Sequence, residues 1–112
     1  MISNSSRNHN IDAGELNKRL KSGEKLNKLD VREVIEYHTY NIGGLNLPLA
    51  RLPGNLNLLT WNKDEEIIVI CKIGLRSQTA AAILKENGYL NVRNLKDGLM
   101  GLRKAESFSF LN

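Results

Sequence analysis

The run Ile67-Ile68-Val69-Ile70 is the feature that most limits what this chain can fold into. Successive side chains of a strand point to opposite faces, so four β-branched apolar residues in a row leave neither face for water. Such a strand belongs in the middle of a parallel sheet covered by helices on both sides. The run ends on Cys71, the single cysteine of the chain, and then turns through Lys72, Ile73, Gly74, Leu75, Arg76 and Ser77. Beyond Ser77, QTAAAILKENG predicts the strongest helix, with Ala80, Ile83 and Leu84 on one face and Gly88 as its C-terminal cap.

The rest of the chain alternates helical and strand patterns. In IDAGELNKRLKSG, Asp12 and Glu15 form a variant capping box, Ala13, Leu16 and Leu20 share a face, and Gly23 is a stop. EKLNKLDVRE reads as a partly exposed strand with Leu29 and Val31 on one face and Leu26 on the other. REVIEYHTY predicts a short helix that turns Val34, Ile35 and Tyr37 inward. NIGGLNLP predicts a turn, a very short strand and a proline-enforced exit, with Asn46 and Pro48 as architectural residues. A weak helix over 49–61 is expected to break near Pro53 and Gly54, and NKDE is a turn. YLNVRNL alternates as a strand, KDG turns, and LMGLRKA is a last short helix. This order predicts an α/β fold, a small, mostly parallel sheet sandwiched by helices.

With 112 residues, 41% hydrophobic and 25% charged, the chain suits one domain over 11–112 behind a frayed polar tail at 1–10. No apolar run approaches the roughly 20 residues that span a bilayer, and the opening MISNSSRNHN lacks the apolar centre of a secretory signal. The expectation is a cytoplasmic protein without a membrane partner. One cysteine forms no internal disulfide, and His9 and His38 offer no metal-site spacing, so neither a metal nor a cofactor is expected. The net charge of +4 comes from scattered lysines and arginines with only one Trp, three Tyr and two Phe. That is a solvated basic surface rather than a nucleic-acid interface.

In open α/β sheets, ligands bind beyond the carboxyl ends of the strands, where helix N-termini converge. Cys71 stands at such a position. A loop from Lys72 to Arg76 can wrap so that several backbone N–H groups point at one spot, with Gly74 supplying a positive φ or a close approach. Helix N-termini and neighbouring cations favour the thiolate, the nucleophilic form. Each residue also has a plain structural reading: a buried small hydrophobe, a turn glycine, a surface arginine and a helix-capping serine. Their coincidence between one strand and one helix favours a site.

These residues carry a resemblance. LDVRE with the following EY, NIGGLNLPL, IIVICKIGLRSQTAAAILKENGY and NVRNLKDGL resemble, in order and spacing, the single-domain rhodaneses of the sulfurtransferase family, over about Ile11 to Ala105. CKIGLR fits the family's active-site pattern of cysteine, two residues, glycine, one residue, arginine. The resemblance implies a rhodanese-like fold. It makes Cys71 the nucleophile that accepts a sulfane sulfur from thiosulfate or a persulfide and passes it to a thiol, cyanide or a protein acceptor. Lys72, Ile73, Gly74, Leu75, Arg76 and Ser77 would bind substrate, with Lys72 and Arg76 on the oxyanion part of the donor. Asp30 and Arg32 match a family signature and read as a supporting pair.

The match has departures. NIGGLNLP is one residue shorter than the commoner form, Asp97 stands where a second glycine is usual, and Leu102 falls near a frequent tryptophan. Two other functions stay open beside the enzyme: a non-catalytic sulfur carrier or partner-binding module, and an arsenate reductase or phosphatase on the same fold. The related dual-specificity phosphatases place five residues between cysteine and arginine; here four intervene, which favours sulfur over phosphate.

Overall fold

The computed structural model describes residues 9–111. The expected polar tail therefore lies, for residues 1–8, outside the described residues. Five strands, β1 (Asn10–Ile11), β2 (Lys28–Asp30), β3 (Leu45–Asn46), β4 (Ile67–Ile70) and β5 (Val92–Leu95), form one sheet in the order β1-β5-β4-β2-β3. Every strand pairing is parallel. The apolar run is β4, at the centre and buried along its whole length, as its composition requires.

Alternate residues of β4 feed two cores. Ile67, Val69 and Cys71 pack with Leu29, Val31, Ala80, Leu84 and Val92 under helix α3 (Leu75–Glu86) and two 3₁₀ turns, Leu49–Arg51 and Pro53–Leu58. Ile68 and Ile70 pack with Ile11, Leu16, Leu95, Leu99 and Leu102 under α1 (Ala13–Lys21) and α4 (Gly98–Leu111). Helix α1 starts as its sequence predicts, the Asp12 carboxylate accepting from the Glu15 N–H at 2.8 Å. The expected helix over 49–61 is instead the pair of 3₁₀ turns, because Pro53 and the non-helical Asn55 interrupt it.

Three expectations change. Helix α2 (Val34–Thr39) buries none of its residues, and Val34 and Ile35 face solvent rather than a core. β2 is an interior strand, not a partly exposed one: Asp30 and Arg32 are buried because they satisfy each other. β1 is an addition, two residues that pair with β5 and are too short to show any periodicity. No helix among the described residues is long and apolar enough to cross a membrane.

Candidate active site

Cys71 leaves the carboxyl end of β4 and is only 1% exposed. Gly74 takes φ 97° at the N-cap of α3, a left-handed turn that glycine adopts without strain. A side chain there would also crowd the Asp97 backbone nitrogen at 3.1 Å. This turn folds the chain over the sulfur: the N–H groups of Gly74 and Ser77 donate to Cys71 Sγ at 3.1 and 3.2 Å. Ser77 lies inside the first turn of α3 and does not cap it. Its hydroxyl accepts from the Cys71 thiol at 3.2 Å and donates to Asn94 Oδ1. Two amide donors thus converge on the sulfur at the start of a 12-residue helix.

The second wall of the cradle comes from α4. Leu99 N–H and Met100 N–H donate to the carbonyls of Cys71 and Lys72 at 2.9 and 3.0 Å, which fixes where the loop begins. Gly98 makes that approach possible, since a Cβ there would fall against the Lys72 carbonyl. Asp97, which replaces the second glycine, itself holds φ 65°, a conformation that aspartate tolerates better than most residues. Leu102 is fully buried beneath the sheet and takes no part in the loop.

The structure gathers the remaining candidates into two ion pairs. The Asp30 carboxylate accepts from Arg32 Nε at 3.0 Å and Nη2 at 2.8 Å. Arg32 also donates to the Tyr40 carbonyl at 2.7 Å, so the pair ties β2 to the end of α2. Asn46 donates to the carbonyls of Asp30 and Arg32, both at 3.0 Å. Arg76 donates through both guanidinium nitrogens to Glu36 of α2, at 2.7 and 3.0 Å. The Arg76 guanidinium holds the Glu36 carboxyl down to about 2, and Glu36 in turn raises Arg76. Lys72, Ile73 and Leu75 are exposed on the rim. A cavity of about 280 Å³ opens between α2 and α4, with Arg32, Glu36, Lys72, Met100 and Arg103 among its walls.

Two residues here went unnoticed in the sequence. Asn94, in the strand Val92–Leu95, accepts from Ser77 through Oδ1 and donates through Nδ2 to the Gly74 carbonyl at 3.4 Å. Glu36 carried a signal, the capping-box spacing from Glu33, but its pairing with a residue 40 positions later is visible only in three dimensions.

Comparison with known proteins identifies the family and the fold. A family model described as a rhodanese-like domain matches residues 12–105. The Bacillus subtilis protein YrkF, which bears a sulfur carrier name, is 39% identical over 82 residues, 72% of this chain and 43% of that protein. The chain thus spans under half the length of that relative. A protein of Allochromatium vinosum named sulfurtransferase is 32% identical over 91 residues, covering 80% of this chain and 83% of that one. The crystal structure of a rhodanese-like domain protein from Staphylococcus aureus superposes with a TM-score of 0.73 at 28% identity, over 83% of this chain and 89% of the other.

Proposed function

The chain belongs to the rhodanese-like domain family, and from that premise we propose that it is a sulfurtransferase working through a persulfide on Cys71. The observation that carries this reading is the pair of N–H groups, from Gly74 and Ser77, aimed at a buried sulfur at 3.1 and 3.2 Å. They stabilise the Cys71 thiolate and, after transfer, the anionic persulfide that replaces it. The Cys71 sulfur attacks the outer sulfur of a sulfane donor, the donor's S–S bond breaks, and its remainder leaves with the electron pair. A thiol or cyanide then attacks the terminal sulfur and restores the Cys71 thiolate. Donors are small sulfane compounds of the thiosulfate or persulfide class, and acceptors are thiols, including those on proteins. A free nucleophilic thiol suits a reducing compartment such as the cytoplasm.

Incubation with thiosulfate and, separately, with an organic persulfide tests the reading by intact mass. Wild type gains one sulfur atom, cyanide removes it as thiocyanate, and Cys71→Ser does neither. No gain from either donor, or equal turnover in Cys71→Ser, overturns it. The sulfur carrier name of YrkF supports a second reading, in which the loaded sulfur is held for delivery. Loading without turnover toward small acceptors selects that one. The Arg76 fork, closed on Glu36, is a poor phosphate site and adds to the loop-length argument against a phosphatase.

A further inference from the structure

We infer that the face beside the Cys71 loop is a docking groove for an extended acidic segment of a partner protein, one that presents a cysteine to take the sulfur. The inference rests on the sulfurtransferase reading above and deepens it by giving the acceptor's chemistry. A second cavity, of about 540 Å³, adjoins the one between α2 and α4, with Ile73, Asp97 and Lys104 among its walls. Met100 and Arg103 line both cavities, so the two form one groove.

The groove starts at the nucleophile loop and runs outward along α4. Its start is fixed by the Met100 N–H, which donates to the Lys72 carbonyl at 3.0 Å. Arg103 and Lys104 follow Met100 by three and four positions and share its helix face. At about 1.5 Å per residue they lie about 4–6 Å further along the helix, beyond the reach of cyanide or a two-carbon thiol at Cys71. An extended chain, at about 3.3 Å per residue, brings the side chain two positions from its cysteine level with them. Cys71 is only 1% exposed beneath this rim, so an acceptor has to enter on a narrow projection, which an extended segment supplies and a lipid surface does not.

The groove is apolar near the loop and cationic beyond it. Of the seven large apolar side chains exposed among the described residues, five belong to α2, the loop or the start of α4: Val34, Ile35, Ile73, Leu75 and Met100. Small donors and acceptors have no use for such a rim, whereas a polypeptide covers it. Lys72, Arg103 and Lys104 enter no ion pair among the described residues, and Arg103 lies over the Tyr40 ring at 4.3 Å. The carboxylates in the walls are Glu36, taken by Arg76, and Asp97. Three cations thus face one remaining carboxylate, the complement of a segment whose apolar residue is followed by acidic ones. In the transfer the segment's thiolate attacks the terminal sulfur of Cys71–S–SH. The S–S bond breaks, the segment carries away the persulfide, and Cys71 leaves as the thiolate.

Synthetic peptides test the groove. Each has one cysteine between two leucines, flanked on both sides by two glutamates, two glutamines or two lysines. Protein loaded with sulfur and freed of donor is mixed with each peptide, and the transferred sulfur is read by mass. Rates are divided by those of the same peptide with mercaptoethanol persulfide, which cancels differences in thiol reactivity. At about 0.02 M salt wild type is expected to favour the glutamate peptide over the lysine peptide about tenfold, falling to about twofold at about 0.5 M. Arg103→Glu combined with Lys104→Glu is expected to abolish the preference and to leave transfer to mercaptoethanol within about twofold. Should that variant fail to fold by circular dichroism, the wild-type peptide series decides alone. Equal normalised rates for the glutamate and lysine peptides, or a variant that slows mercaptoethanol as much as the glutamate peptide, overturn the inference. Sedimentation with phosphatidylglycerol vesicles, or dimerisation by light scattering, would then assign this face to a lipid surface or a second copy. Wild type that loads and serves mercaptoethanol without peptide preference overturns this inference alone; failure to load overturns the sulfurtransferase reading and this inference with it.

Discussion

The two ends of the central strand carry ion-pair clusters of opposite design. At the amino end, Arg19 and Arg93 share Glu66, Arg19 also holds Glu24, and Arg93 also holds Glu15. Arg93 further donates to the Asn10 carbonyl at 2.9 Å, so this network binds α1, β1, β4 and β5 together. At the carboxyl end, Asp30–Arg32 and Glu36–Arg76 are separate pairs, each linking one strand or loop to α2. The first cluster surrounds no nucleophile, whereas the second frames the Cys71 loop. Charge pairing alone therefore does not mark a site. What marks it is a pair attached to a loop whose amides converge on a reactive atom.

The same chemical change at each end puts that contrast to the test. Arg32→Ala leaves the buried Asp30 carboxylate without its partner, and loss of one member of a buried pair costs about 3–5 kcal/mol. Denaturant unfolding should record that loss, and sulfur loading should fall as well, since α2, which walls the site, loses its anchor at the Tyr40 carbonyl. Arg93→Ala removes an equally buried arginine from the other end. Its carboxylate partners, Glu15 and Glu66, keep contact with water, so the expected loss is smaller, about 1–3 kcal/mol. Loading of Cys71 in the folded Arg93→Ala protein should match wild type. An Arg93→Ala protein that is folded but slow to load would break the division between the two ends.

The division also explains what could be read from sequence. β4, α1 and α3 were legible because their signals are local: an unbroken β-branched run, a capping aspartate, and alanines closed by a glycine. The loop was legible because cysteine, glycine and serine supply its turn and its amides through adjacent positions. Sequence misjudged what depends on partners far along the chain. EKLNKLDVRE looks partly exposed by its charges, until the supporting pair Asp30 and Arg32 is found buried, each satisfying the other. Val34 and Ile35 look like core residues until α2 is found lying at the rim of the site. Arg76 looks like a free anion-binding fork until Glu36 closes it, 40 residues earlier in the chain.

The smallest expected effect concerns acid. Arg76 holds Glu36 down to about 2, and at the opposite end Arg19 lowers Glu66. A carboxylate whose folded value is depressed contributes stability that is fully present above its ordinary value, where both folded and unfolded forms are ionised. As pH falls below that value the unfolded chain takes up the proton first, and the contribution is gone once pH passes the folded value. For Glu36 the window runs from the ordinary carboxylate range, near 4.5, down to about 2. Urea midpoints should therefore separate wild type from Glu36→Gln by a constant amount above about pH 5, with the two curves converging toward about 2. Glu66→Gln should narrow its gap in the same direction, because Glu66 is lowered by the same kind of partner. The ends should part in their loading rates between pH 5 and 7. There Glu36→Gln changes the thiosulfate rate while Glu66→Gln leaves it at the wild-type value, because a carboxylate at the amino end braces the sheet without facing the Arg76 guanidinium. A Glu66→Gln protein whose sulfur loading changed would show the two clusters to be coupled through β4, and the contrast between the two ends would fail.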